Sequence, residues 1–377
     1  MSKRCISSLS LRRRIALVAL CLPVATLPMA GGRAAQACDM HAIYVGTLQQ
    51  QSRTGVYLGL SERYTEFSDV RHDGESVPNN SGEWIHSSVT QLVLGYAFTP
   101  QLSVMSTVPL ISRDFRSVED GIATTGNVGG LGDVSFLARF APLNRSFGNF
   151  LVRMDLFAGV KTPTGSSGYL NEPAHGGGGE EHHRRAQSSR SPRHGDEDHG
   201  DGDTGGDTGG DPGDPGDGDG DGDGEHGHEG LVHGHDLTLG SGSVDGLFGV
   251  NLFTNWRRYF FSGWAQYGLR GDGDYTYAFA NDVTWELSPG FYMVTRDSWT
   301  LASRLILSGD HKERDRQYGA PIEGTDLTSV YIGPGLSGTW KDHLQSELIV
   351  EVPIMQENDA PQLVANYRLR FNLMWRF

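Results

Sequence analysis

The sequence predicts an all-β chain: a transmembrane, antiparallel up-and-down β-barrel of about twelve strands, with one long disordered loop rich in His, Asp and Gly on its outer side. Three observations carry this expectation. Apolar and polar residues alternate with period two along segments longer than the 5–6 residues of an average strand. The connections between these segments alternate between short and long. The last segment ends on an aromatic residue, with further apolar residues at every second position behind it.

The elements follow in order. Lys3, Arg4 and Arg12 to Arg14 precede an apolar run over residues 15–30, and Ala35-Gln36-Ala37 closes it. This is the charged, apolar and small-residue pattern of a secretory signal peptide, assigned to residues 1–37. Two of the 3 cysteines lie within it, so Cys38 is the one mature thiol and an intrachain disulfide is excluded. Cys38 also occupies the place where a bacterial lipoprotein carries its lipid, but the Leu expected three residues earlier is missing. Residues 38–53 read as a periplasmic tail and 54–377 as the barrel.

Twelve alternating segments fall near 54–67, 84–98, 101–113, 131–141, 149–163, 237–254, 259–270, 275–288, 298–309, 328–339, 344–356 and 363–377. No run of about 20 apolar residues follows the signal, so no helix is expected to span a membrane. A strand can cross in about 10 residues, but hydrocarbon offers its backbone no hydrogen-bond partners, so the sheet must close on itself. Short turns then lie on the periplasmic side and the longer links 68–83, 114–130, 164–236 and 310–327 outside.

Alternation also separates lipid-facing from inward-facing side chains. Over residues 150–161, Phe150, Val152, Met154, Leu156, Ala158 and Val160 share one face, and Arg153, Asp155 and Lys161 share the other. The same logic assigns Arg139, Asp282, Glu286, Arg304, Glu347, Glu351, Arg368 and Arg370 to the lumen, where charges must pair across the cavity to offset their desolvation. In the last segment Leu363, Ala365, Tyr367 and Leu369 are placed on the lipid face. Phe371, Leu373, Trp375 and Phe377 continue that face and match the terminal signal read by the barrel assembly machinery.

Gly130-Leu131-Gly132-Asp133 opens one strand. Gly159-Val160-Lys161-Thr162-Pro163-Thr164-Gly165 closes another, and Gly240-Ser241-Gly242-Ser243-Val244-Asp245 opens the next. In this order and strand context the three stretches resemble the outer-membrane family labelled for the meta-pathway of phenol degradation, over most of residues 54–377. The resemblance implies a Gram-negative outer-membrane barrel and a channel for aromatic or other hydrophobic compounds. The chain departs from the family pattern between the second and third stretches, where an outer loop is expanded.

The formal net charge of −15 excludes an ordinary nucleic-acid binder. Most of it lies in residues 172–236, which hold 18 acidic and 4 basic residues together with nine of the 14 histidines. Such a stretch cannot bury enough apolar surface to offset ordering entropy, so disorder is expected over 166–236. His182, His183, His194, His199, His226, His228, His233 and His235 are candidate ligands for loosely bound Zn, Cu or Ni, the one cofactor the sequence suggests. Asp217, Asp219, Asp221 and Gly222 match part of a calcium loop, but position twelve is His228, and that reading is rejected.

No enzyme is expected. The chain has no G-x-S-x-G elbow, no Walker loop and no H-E-x-x-H, and His86 beside Ser87 and Ser88 is adjacency along a strand only. The expected function is an outer-membrane channel for small molecules, with lipid, the assembly machinery and a small solute as partners. The second reading is a metal-capturing surface protein that uses its barrel as an anchor.

Overall fold

A computed structural model describes residues 54–119, 121–171, 230–322, 324–341 and 343–377. The signal, the tail and most of the insert lie outside the described residues. Twelve long strands form the wall: β1 (Gly55–His72), β2 (Trp84–Ala97), β3 (Leu102–Glu119), β4 (Ser135–Phe147), β5 (Phe150–Lys161), β6 (Asp245–Trp256), β7 (Tyr259–Leu269), β8 (Asp282–Thr295), β9 (Trp299–Lys312), β10 (Leu327–Trp340), β11 (Leu344–Glu357) and β12 (Gln362–Arg376). Each pairs antiparallel with its sequence neighbours, and β12 returns to β1 in register from Tyr57↔Arg376 to Arg71↔Gln362. This last pairing closes the barrel and removes the open edge that hydrocarbon forbids.

Alternation sorts the side chains as the pleat requires. On β2, Leu92, Leu94 and Tyr96 are exposed, whereas Ile85, Ser87, Val89 and Gln91 are buried. Exposed aromatics Phe98, Phe147, Trp256, Trp299, Trp340 and Trp375 gather at the short-turn end and form a girdle of the kind that marks a membrane interface. Two of those turns, at residues 148–149 and 257–258, have φ of 60° at Gly148 and 57° at Arg257, the left-handed backbone that two-residue hairpins need.

A small polar cluster interrupts the apolar outer face. Glu62 pairs across β1 and β12 with Phe371, and across β1 and β2 with Thr90, whose neighbour on β3 is Leu110. The Ser88 hydroxyl donates to Glu62 Oε1 at 2.5 Å and the Thr90 hydroxyl donates to Oε2.

Four sequence expectations are corrected. Leu363 and Ala365 are buried inside the barrel, because register shifts opposite Phe67 insert an extra residue at Asn366 and move these two side chains to the inner face. The Asn366 Oδ1 accepts the Ser68 N–H at 2.8 Å, satisfying the bulge. The segment expected over 275–288 lies at 282–295, because Tyr277 and Phe279 imitate a strand but pack with Leu170 and Ile322 among the outer loops. Within that shifted strand, Ser288 to Gly290 are paired with Ser262, Phe261 and Phe260. β3 runs on to Glu119 and carries an extra strand, Ile122–Leu131, along its outer half.

The fourth correction bears on function. Both flanks of the insert, expected to be disordered, are ordered. Residues 168–171 form a 3₁₀ turn, Gly234–Leu237 a single helical turn, and the sixth strand begins only at Asp245. Val232, Leu237 and Leu239 are buried in one cluster with Phe67 on β1, Val89 on β2, Ile111 on β3, Tyr331 on β10 and Leu363 on β12. The residues 231–239 therefore lie across the inside of the barrel as a plug. Their apolar side chains supply the burial that the polar remainder of the insert lacks.

Candidate functional site

All eleven charged residues assigned inward by alternation are buried. Fold closure aims them at one another, and they gather in clusters. Near the short-turn end, Asp155 lies 2.9 Å from the Arg153 guanidinium and 3.8 Å from that of Arg139, and it accepts a hydrogen bond from Asn251 Nδ2 at 3.3 Å. Two guanidiniums here face one carboxylate. One inward position further along β4 and β5, Leu137 and Phe157 join Tyr57, Met105, Leu247 and Met374 in an apolar collar.

The wall made by β8, β9, β11 and β12 is ionic. Arg370 lies 2.8 Å from both Glu286 and Glu351, and the Ser308 hydroxyl donates to Glu351 at 2.5 Å. Arg304 pairs with Glu347, which also accepts from Asn372 Nδ2 at 3.1 Å. Arg368 pairs with Asp310 at 2.7 Å and places its guanidinium 3.8 Å above the Tyr331 ring, a cation–π contact.

Lys161 and Asp282 belong to a third cluster, and it unites the three glycine-rich stretches. Lys161 lies 3.0 Å from Asp133 and 2.8 Å from Asp245; Arg270 then bridges Asp245, at 2.9 Å, to Asp282. Asp133 accepts the Gly165 N–H at 2.9 Å and the Ser241 N–H at 2.8 Å, so it clasps both ends of the insert. Glycine is required where these strands of backbone cross. A Cβ on Gly240 would lie 2.5 Å from the Gly165 carbonyl and 2.8 Å from Asp133 Oδ1.

The plug has two further anchors. Glu83 is buried and accepts the Leu231 N–H at 3.0 Å and the Val118 N–H at 2.9 Å. The Arg113 guanidinium donates to the Thr238 carbonyl at 2.7 Å.

Of the eight histidines considered as ligands, His182, His183, His194, His199, His226 and His228 lie outside the described residues. His233 and His235 are brought together in the plug. Their rings stack 5.4 Å apart at 6°, and each approaches the Asp236 carboxylate, at 3.7 and 3.5 Å. Burial pushes the His235 imidazole down to about 4, against the pull of Asp236, so the ring is neutral at pH 7. The four terminal residues Phe371, Leu373, Trp375 and Phe377 face outward from the last strand, with Phe377 exposed at its end.

Asp133, Asp245, Arg270, Arg113 and Asp310 were not singled out by the sequence, although a signal for most existed. Asp133 shares the parity of Ser135, Leu137 and Arg139, and Arg113 that of Met105 and Ile111. Applying inward parity along the whole of each expected strand, and one position past the end at Asp310, would have found them. Glu83 and the plug carried no such signal, because neither belongs to an alternating strand.

No protein-family model matches the chain, and no curated protein matches it. Among solved structures, the COG4313 outer membrane channel from Pseudomonas putida F1 is similar over 91% of this chain and 100% of its own, with a TM-score of 0.51 at 12% identity. The transport unit of the autotransporter AIDA-I from Escherichia coli covers 90% of this chain and 94% of its own, with a TM-score of 0.42 at 7% identity. A Pseudomonas aeruginosa FadL homologue covers 86% and 90%, with a TM-score of 0.34 at 7% identity. The first of these is similar in fold, a closed antiparallel β-barrel.

Proposed function

We propose that the protein is an outer-membrane channel for small molecules, closed in the state described by the plug and by its own lumen side chains. One observation carries this reading: the interior is built from buried ion pairs. Buried pairs contribute little stability compared with well-packed apolar residues of similar volume, because desolvation offsets their attraction. A barrel serving only as an anchor gains nothing from them. A lumen that takes up water when it opens has need of hydrophilic walls.

Two features of the interior support a solute class. The interior holds both the apolar collar around Phe157 and Tyr57 and the guanidiniums of the ionic wall, a combination suited to a small molecule with an apolar or aromatic body. The resemblance of the three glycine-rich stretches and the likeness in fold to an outer membrane channel support the same reading. Reconstitution into planar bilayers tests it. Stepwise currents that a small aromatic solute such as benzoate interrupts, and glucose does not, are expected. A barrel that stayed electrically silent with the plug removed would overturn the transport reading.

A further inference from the structure

We infer that His233, His235 and Asp236 form a binding site for one divalent transition-metal ion inside the plug. It is the one group of three or more metal-ligating side chains among the described residues that could hold an ion: one donor atom from each lies within 4.8 Å of the other two. Ligands bound at about 2.0–2.2 Å in a tetrahedron stand roughly 3.3–3.5 Å apart. His233 Nδ1 lies 3.7 Å from one oxygen of the Asp236 carboxylate and His235 Nε2 3.5 Å from the other, so both imidazoles already stand at nearly ligand–ligand distance from the carboxylate.

The surroundings hold these groups in place. The His233 N–H donates to Asp236 Oδ2 at 3.0 Å, which fixes the carboxylate, and the Tyr277 ring stacks on His235 at 6.3 Å. Tyr277 is itself held by a 2.5 Å hydrogen bond from its hydroxyl to Asp315. Such outer contacts orient ligands in metal sites. His233 has a side-chain exposure of 24%, against 10% for His235 and 8% for Asp236, so the ion enters from the His233 side. Two imidazoles and one carboxylate suit Zn, Ni, Co or Cu(II) and not the all-oxygen shells of Ca or Mg.

The location gives the site its consequence. Leu237 and Leu239 follow the ligands directly and pack against Ile111 and Tyr331 on different strands of the wall. An ion joining His233, His235 and Asp236 would stiffen the turn that carries these residues and so fasten the plug. This site is separate from any binding by the remaining histidines of the insert.

The experiment uses the full chain in detergent, with the seven histidines at 175, 182, 183, 194, 199, 226 and 228 changed to Gln to remove background. This protein is titrated with Co(II) and read by visible absorption. One equivalent is expected to give the intense d–d bands of a four- or five-coordinate ion, displaced by Zn. Adding His233→Gln, His235→Gln or Asp236→Asn is expected to weaken binding by about tenfold or more. Heat-dependent gel mobility shows that each variant is a folded barrel, and a second readout, slower amide exchange over residues 231–239 with Zn, reports on the plug. Absence of stoichiometric binding, or binding unchanged by both His substitutions, would overturn the inference.

Discussion

Arg370 on β12 stands 2.8 Å from Glu286 on β8, although these strands are not neighbours in the wall. The same guanidinium reaches Glu351 on the adjacent strand, so one cation bridges two carboxylates in the interior. Arg370→Met leaves both anions buried without their partner, at a cost of about 3–5 kcal/mol. The temperature at which the folded gel band converts to the unfolded one should drop. Adding Glu286→Gln and Glu351→Gln should restore most of it. An unchanged midpoint for Arg370→Met alone would show that the pairs do not form.

Glu62 offers a test on the lipid side. Its carboxylate depends on the Ser88 and Thr90 hydroxyls, because hydrocarbon supplies no donors. Changing both, Ser88→Ala with Thr90→Val, should destabilise the barrel by about 1–3 kcal/mol, the usual cost of an unsatisfied buried acceptor. Glu62→Leu on that background should recover the loss. If the double variant were as stable as the parent, Glu62 would have to reach water or headgroups instead.

These two residues also mark what was legible in the sequence. Arg370 and Glu286 were readable as inward-facing because alternation is a property of the pleat, and it survives wherever a strand is regular. Which residue Arg370 would meet was not readable, since that depends on closure and register. Leu363 and Ala365 were misplaced for a local reason: one extra residue at Asn366 reverses the parity. The plug was invisible because Val232, Leu237 and Leu239 are three apolar residues at the border of a very polar insert, and their burial requires walls contributed by distant strands.

Asp133 ties the insert to the wall through the Gly165 and Ser241 amides. Asp133→Ala removes both acceptors while Lys161 keeps Asp245. Amide hydrogen exchange, resolved by mass spectrometry, should accelerate at residues 164–171 and 238–243 and remain slow along β5 and β6. Equal protection in both proteins would mean that the plug is held by its apolar contacts alone.

The outer loops carry a pH dependence. Burial, reinforced by the charge of Asp359, raises the Asp326 carboxyl to about 6, and the Arg314 guanidinium only partly opposes this. The folded protein therefore binds more protons at this group than the unfolded chain between about pH 4 and 6. The stabilisation is full below the ordinary carboxylate range and is lost as pH rises through 6. At pH 8, Asp326→Asn should slow amide exchange in residues 313–322 relative to the parent, and the difference should close by pH 4. A difference that persists at pH 4 would refute this assignment.

The proposed function requires that this barrel enclose a path closed by identifiable groups. Single-channel conductance tests it most directly, on a variant in which residues 164–242 are replaced by a short turn and Arg370, Glu286 and Glu351 are all changed to Ser. The Lys161↔Asp245 pairing leaves β5 and β6 positioned for such a turn. The variant, if it retains heat-dependent mobility, should pass a steady KCl current several-fold above that of the parent, about the response expected when a packed interior becomes a water-filled one. A folded variant that passes no current above the bare bilayer would contradict the central claim.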